Sequence, residues 1–149
     1  MTEIEVRNAV HEYYWTDDIN CATTSLLTLS KAFSIEITPQ VIDSAVGMHG
    51  AGKYGAQCGL VEGSLLFIGI YGRSINMEDV DIIDMCSSFA EGFENKFSSL
   101  LCSKLRPGGF REVEPEHLCE GITVEAIIWG IKFIKNEIVN RKSPKNRMI

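Results

Sequence analysis

The sequence lacks the short motifs that most directly identify a metal, haem or hydrolase site. Its five cysteines form no CxxC pair, no CxxCH motif for covalent haem and no zinc-finger spacing. The GxSxG motif of many hydrolases is also missing, and no Ser-His-Asp set stands out. A site built from several cysteines therefore has to be assembled by the fold.

Long apolar runs and an excess of basic residues are lacking too. The run Leu65–Tyr71 is far shorter than the roughly 20 residues that cross a membrane, and the first 15 residues do not resemble a signal peptide. The net charge of −6 argues against a nucleic-acid partner. We therefore expect a cytoplasmic protein with no membrane span. In that compartment, cysteines indicate metal, redox or catalytic roles before a disulfide framework.

What the sequence has instead is a glycine-rich loop followed by one very apolar helix. Glycines at positions 47, 50, 52 and 55 permit positive φ angles, and the helix is predicted over about residues 55–71. Glu62 is the only charged residue between Lys53 and Arg73, and a helix that is apolar nearly all round is buried. Gly59 and Gly63 share one face, which allows another helix to approach closely. We expect this to be the central helix of a bundle.

Helical periodicity covers most of the remaining chain. Five other helices are predicted. The first spans residues 3–15, the second runs from a cap at Thr16, Asp17 or Asp18 to about Phe33, and the third runs from Thr38 and Pro39 to Gly47. The fourth runs from an Asn76 cap to near Cys102, and the last runs from Glu114 or Pro115 to about Val139. The sequence thus predicts an all-α fold, a single domain over residues 1–140 with about five helices around the central one. Residues 141–149 are basic and are expected to fray. Because the apolar faces exceed what so small a bundle easily buries, we expect a homodimer.

Cys58 is the cysteine with the clearest chemical setting. It falls in the first turn of the central helix, where unpaired N–H groups and the helix dipole favour a thiolate. Glu62 lies one turn further on, where its carboxylate could accept a proton or bind a metal. A buried, inert cysteine and a paired carboxylate are the alternative interpretations.

Three further cysteines lie near predicted helix ends. Cys21 and Cys119 fall close to helix starts, with His117 two residues before Cys119, and Cys102 falls at a helix-to-loop junction. A face of small residues that contains Cys21 could accept the central helix and bring Cys21 near Cys58. Cys86 lies inside an apolar stripe instead, so we expect it to be part of the core.

Four segments of the chain resemble the redox-active protein family named for its cysteine pattern, C…GCAxxG…C…C, which is widespread in anaerobic bacteria and archaea. The segments are Asn20-Cys21-Ala22, GMHGAGKYGAQCGLVEGSLLFIGIYG with Cys58, FENKFSSLLCSKL with Cys102, and HLCEGITVEAI with Cys119. They occur in the family's order, although Gln57 stands where the name has glycine. The resemblance implies that these four cysteines form the site, with Gly59 and Gly63 as the small residues of the central motif and candidate cofactor contacts.

The resemblance favours thiol redox chemistry, which is either dithiol–disulfide exchange or electron transfer. The protein would then be a thiol oxidoreductase or an electron-transfer protein, and it would act with an unknown partner protein. Cys58 would be the attacking thiolate. The first alternative is a zinc or iron–sulfur site in which the four cysteines converge, with His117 as a further ligand. The second is a structural helical protein whose cysteines are only packed and lie apart.

Overall fold

The computed structural model describes residues 1–108 and 117–142, and in these residues the chain forms helices joined by turns. The helices are α1 (Glu3–Trp15), α2 (Cys21–Phe33), α3 (Pro39–Ser44), α4 (Gly50–Lys53), α5 (Gly59–Ser74), α6 (Asp79–Phe97), α7 (Cys102–Leu105) and α8 (Glu120–Lys142). No strand forms across the described ranges, where an isolated antiparallel bridge pairs Gln57 with Leu101. The all-α fold is confirmed, with five helices of at least 13 residues.

Two helices begin where local capping signals predict. The side chain of Thr2 accepts a hydrogen bond from the Glu5 N–H, and the Glu5 carboxylate accepts one from the Thr2 N–H, which forms a capping box ahead of α1. Thr38 precedes α3 and Pro39 is its first residue. Both signals are confined to a few neighbouring residues, so tertiary packing does not displace them.

The N-cap of helix α2 lies two to four residues later than the sequence predicts. The cap is Asn20, whose side-chain Oδ1 accepts a hydrogen bond from the Thr23 N–H at 3.0 Å, so the prediction of a cap at Thr16, Asp17 or Asp18 is wrong. Asp18 has a φ of 51° and belongs to a left-handed turn between α1 and α2. Cys21 is consequently the first residue of α2.

The glycine-rich loop delays the start of the central helix. Residues 50–53 make one left-handed turn, with φ values of 64° at Gly50, 53° at Ala51, 65° at Gly52 and 69° at Lys53. The chain then pairs with residues 100–103 before α5 begins at Gly59. The predicted start near Gly55 is therefore too early, and Cys58 is the N-cap of α5 instead of a residue of its first turn.

Asn76 ends helix α5 and does not cap α6. It adopts φ 61°, its N–H donates to the carbonyl of Arg73, and the Met77 N–H donates to the carbonyl of Gly72. This pair of bonds is the Schellman pattern that closes a helix C-terminus. Helix α6 follows an N-cap at Glu78 and ends at Phe97, because Ser98 adopts φ 73°, so the predicted end near Cys102 is also wrong.

Helix α8 begins at Glu120, after a turn at residues 117–119. The predicted start at Glu114 or Pro115 lies outside the described residues, as does the greater part of the tail predicted over 141–149. The domain limits of 1–140 stay a prediction. Helical periodicity predicts two apolar stripes on α8. All of the stripe formed by Ile127, Ile131, Ile134 and Ile138 is buried. Of the other, formed by Leu118, Ile122, Ala126, Trp129 and Phe133, Ala126 is buried and the rest are half-buried.

The core forms around α5, whose closest neighbour is α2. Leu60, Val61, Phe67 and Ile68 of α5 are fully or almost fully buried. A Cβ added at Gly63 would lie 2.1 Å from the carbonyl oxygen of Ala22, which is far inside van der Waals contact. The predicted close approach of a helix to the glycine face is thus confirmed, and helix α2 is the one that makes it. Among the helices the structure describes, none has the length and apolarity needed to span a bilayer.

We predict that Gly63→Ala destabilises the fold by about 1–3 kcal/mol or more, because the new methyl group meets backbone and not a movable side chain. Gly69→Ala on the same helix is the matched control, since an added Cβ there meets nothing within 4 Å. It should be neutral or stabilising by up to about 1 kcal/mol. Urea unfolding measures both; equal stabilities for the two variants would contradict the close packing of α5 on α2.

Candidate functional site

One cavity of about 800 Å³ is lined by all four family-pattern cysteines. Cys21, Cys58, Cys102 and Cys119 come from four separate parts of the chain, and Cys86 does not line this cavity. Side chains of Tyr14, Asn20, His49, Lys53, Arg106 and His117 contribute to the same wall. The interpretation of the cysteines as dispersed packing residues therefore does not describe these four.

Asn20 fixes the position of Cys21. While its Oδ1 caps helix α2, its Nδ2 donates a hydrogen bond to the carbonyl of Val46 at 2.9 Å. One side chain thus ties the start of α2 to the chain that follows α3. The neighbouring Cys21 is held at the first helical position, half-buried, with its side chain towards the cavity. This gives the Asn-Cys-Ala segment a structural reason that sequence alone did not supply.

The antiparallel bridge brings Cys58 and Cys102 to the same wall. The Cys58 N–H donates to the carbonyl of Leu100 at 2.8 Å, and the Cys102 N–H donates to the carbonyl of Ala56 at 2.7 Å. A Cβ added at Gly50 would lie 2.9 Å from Cys102 Cβ and 3.0 Å from its Sγ. The left-handed glycine loop therefore leaves room for the Cys102 side chain directly beside the start of α5.

Cys58 and Cys21 form a coupled pair of thiols with opposite acidities. A hydrogen bond from the Cys21 thiol lowers the pKa of Cys58, and the backbone N–H groups of Leu60 and Val61 lower it further, against the opposing effect of burial. The same hydrogen bond, together with burial, raises the pKa of Cys21 well above its ordinary value. The first proton lost by the pair thus leaves Cys58 as the thiolate, with Cys21 as its donor. The predicted proximity of Cys21 to Cys58 is confirmed.

Cys102 remains a thiol at neutral pH. Burial raises its pKa to about 11, Cys58 and Cys119 raise it as well, and nearby Arg106 lowers it without reversing the shift. In the sequence, the nearby Lys104 and Arg106 favour a thiolate, whereas a helix C-terminus disfavours one. In the structure Cys102 begins the short helix α7 and does not end α6, and burial has the largest effect on its pKa.

Helix α8 supplies the last cysteine through a polar contact with α1. The Tyr14 hydroxyl and the Thr123 hydroxyl are hydrogen-bonded at 2.7 Å in a buried position, and the Thr123 N–H donates to the carbonyl of Cys119 at 2.9 Å. Burial, followed by the effect of Cys21, raises the pKa of Tyr14 well above its ordinary value, so its hydroxyl stays protonated. No local motif in the sequence distinguishes Tyr14 as a residue of the site.

His117 stacks on the aromatic end of α1. Its ring centroid lies 5.0 Å from that of Tyr14, in a nearly parallel stack, and 4.8 Å from that of Trp15, edge-on. Its Nε2 is 3.6 Å from a carboxylate oxygen of Asp18.

His49 also lines the cavity. Burial and the nearby Lys53 lower its pKa, so its ring is neutral at neutral pH. Both histidines therefore face the thiols' cavity.

Two other candidates have different surroundings. Glu62 is half-buried one turn into α5 and does not line the cavity, so its role as a proton acceptor stays a prediction without a supporting contact. Gly59 packs against α2, because an added Cβ would lie 2.4 Å from Cys21 Sγ. Cofactor contact by Gly59 or Gly63 likewise stays a prediction.

Cys86 is half-buried on α6, and burial raises the pKa of its thiol.

The described ranges, 1–108 and 117–142, contain no group of three or more His, Cys, Asp or Glu side chains arranged to hold a metal ion. Within these residues the arrangement therefore supports thiol chemistry by pairs more directly than a metal centre.

Comparison with known proteins agrees with the cysteine pattern. A family model described as "Putative redox-active protein (C_GCAxxG_C_C)" matches residues 19–132, which is more than half of the chain and includes all four cavity cysteines. No significant match was found among curated proteins or among solved structures.

We predict that Cys21→Ala raises the pKa of Cys58, because it removes the thiol that donates to the Cys58 thiolate. Cys21→Ser should raise it less, since the hydroxyl can still donate. Residue-specific alkylation rates, followed by peptide mapping across pH, measure the midpoint, with Cys86→Ser as the unchanged control. An identical Cys58 midpoint in the wild type and Cys21→Ala would contradict the pairing.

Proposed function

Because the chain belongs to the C_GCAxxG_C_C family of redox-active proteins, we propose that it is a thiol oxidoreductase that exchanges disulfides through Cys58 and Cys21. Cys58 is the attacking thiolate and Cys21 the resolving thiol. The substrate class is a disulfide on a small molecule or on a partner protein.

The observation that carries the proposal is the contact between the two thiols at the start of α5. Attack on a disulfide requires a thiolate, and the pKa of Cys58 is lowered by the Cys21 thiol and by helix-start N–H groups. Resolution requires a second thiol beside the first, and the Cys21 Sγ lies against the start of α5, 2.4 Å from where a Cβ on Gly59 would be. Both line a cavity that a substrate could enter.

The reaction balances with the groups present and one disulfide substrate. The Cys58 thiolate attacks one substrate sulfur, the substrate S–S bond breaks, and the departing thiolate takes the proton of Cys21. The Cys21 thiolate then attacks the Cys58 sulfur and releases the second half of the substrate as a thiolate. The protein dithiol is oxidised to a Cys21–Cys58 disulfide and the substrate is reduced by two electrons.

Burial limits which disulfides can reach Cys58. Cys58 is 5 % exposed, whereas Cys21 is more open to the cavity. A nearly buried thiolate is shielded from water and from oxidants larger than the cavity entrance, so only a disulfide that fits the cavity reaches it. We therefore propose that Cys58 is selective as well as reactive.

Three other features belong to the same proposal. A cytoplasmic location would keep the pair reduced between turnovers. A redox partner protein would return the Cys21–Cys58 disulfide to the dithiol. A homodimer would cover apolar side chains that are exposed on α6 and α8, among them Val80, Ile83 and Val139.

We predict that Cys58→Ser reduces the rate of disulfide exchange with oxidised glutathione to the uncatalysed level, because serine supplies no thiolate. Cys86→Ser is the matched control, since Cys86 lies outside the cavity, and it should retain the wild-type rate. The measurement is a single-turnover reaction of reduced protein, followed by the appearance of reduced glutathione.

Folding has to be separated from chemistry in this comparison. Far-UV circular dichroism of Cys58→Ser and of Cys58→Ala establishes that both variants are helical. A folded Cys58 variant with the wild-type rate would overturn the assignment of the attacking thiol.

A further inference from the structure

Disulfide exchange by Cys58 and Cys21 uses only two of the four thiols in the cavity. Cys102 and Cys119 line the same cavity and are both half-buried. All five cysteines lie in the described part of the chain as thiols. A single dithiol would need neither of the two additional cysteines, so their position requires an explanation of its own.

Cys102 is built into the wall beside Cys58 by three separate contacts. Its N–H is bonded to Ala56, the neighbouring Leu101 pairs with Gln57, and its side chain fills the space left by Gly50. A side chain at position 50 would overlap Cys102 Cβ, so the loop glycine and the cysteine depend on each other. The left-handed loop conformation thus has a direct effect on where this thiol lies.

Cys119 lies within electrostatic reach of both Cys21 and Cys102, because it raises the pKa of each of these thiols. It immediately precedes α8, which packs against α2 and α1. The buried Tyr14–Thr123 hydrogen bond fixes the first turn of α8 against α1. Cys21 and Cys119 both raise the pKa of Tyr14, which agrees with their lying near the same hydroxyl.

We propose that Cys119 and Cys102 form a second redox pair, which takes over the oxidising equivalent of the Cys21–Cys58 disulfide and returns Cys58 to the thiolate. The proposal rests on the disulfide exchange proposed above and extends it. One chain could then give up four electrons, two from each pair of thiols, before it has to be reduced again.

The transfer balances without any further reagent. The Cys119 thiolate, its proton lost to water, attacks the Cys21 sulfur of the inner disulfide; a Cys119–Cys21 bond forms and Cys58 leaves as a thiolate. The Cys102 sulfur then attacks Cys119 and passes its proton to the leaving Cys21, so that the Cys102–Cys119 disulfide forms and Cys21 is released as a thiol. The inner pair is reduced by two electrons and the second pair is oxidised by two.

The acidities of the groups favour this direction. A thiolate of low pKa is the better leaving group, so attack at Cys21, which expels Cys58, is faster than attack at Cys58. Stabilisation of the Cys58 thiolate also favours the reduced form of the inner pair. The pKa of Cys102 is raised to about 11, which disfavours its thiolate and therefore favours its disulfide.

A pulse of one equivalent of 4,4′-dithiodipyridine, a neutral disulfide, tests the transfer in the full-length reduced protein. Samples are quenched with acid at increasing times, alkylated and mapped by mass spectrometry. We expect the disulfide to appear first between Cys21 and Cys58 and later between Cys102 and Cys119. In Cys102→Ser it should stop as a Cys119–Cys21 or Cys21–Cys58 bond, while Cys86→Ser should behave as the wild type.

The outcomes separate the two proposals. A disulfide that forms at Cys21–Cys58 and stays there overturns the second pair and leaves the proposed function intact. A disulfide that never involves Cys58 overturns the proposed function itself. The wild-type time course gives this answer without any variant, so a Cys102→Ser or Cys119→Ser protein that fails to fold does not obscure it.

Discussion

The close contact of α5 with α2 is the constraint on which the site depends. It exists because Gly59 and Gly63 present no side chains, so the backbone of Ala22 and the sulfur of Cys21 occupy the space that Cβ atoms would fill. A Cβ on either glycine would push α2 away from α5, and Cys21 away from Cys58 with it. The two glycines therefore control chemistry as well as packing, although neither carries a functional group.

The glycine-rich loop contributes to the cavity in a second way. Four consecutive residues with positive φ turn the chain back so that it pairs with the segment before α7. That pairing leaves Cys58 at the N-cap of the most buried helix and sets Cys102 beside it. A loop that costs conformational entropy and carries little apolar surface is thus retained at the point where two of the four thiols meet.

The sequence predicted those parts of the fold that depend on neighbouring residues. The limits of α1 follow from the helical spacing of its apolar residues, and the start of α3 follows from Thr38 and Pro39. The predictions of Asn76 as the cap of α6 and of a start of α5 near Gly55 are wrong. A residue that can adopt a positive φ can equally end one helix or precede the next, and the sequence does not distinguish the two. The glycine spacing indicated a close helix contact, and the small-residue face of α2 indicated the partner. The common cavity, the wall residues Tyr14 and Asn20, and the sign of the Cys102 shift depend on tertiary contacts that no short motif encodes.

The most direct test of the account is to identify which sulfur a substrate meets first. In Cys21→Ala the resolving thiol is absent, so a mixed disulfide formed with oxidised glutathione should persist and can be located by mass spectrometry. The account predicts that glutathione is attached to Cys58, more slowly at neutral pH than in the wild type because the thiolate has lost its donor. Glutathione on Cys102 or Cys119, with Cys58 unmodified, would contradict the assignment of Cys58 as the attacking thiolate.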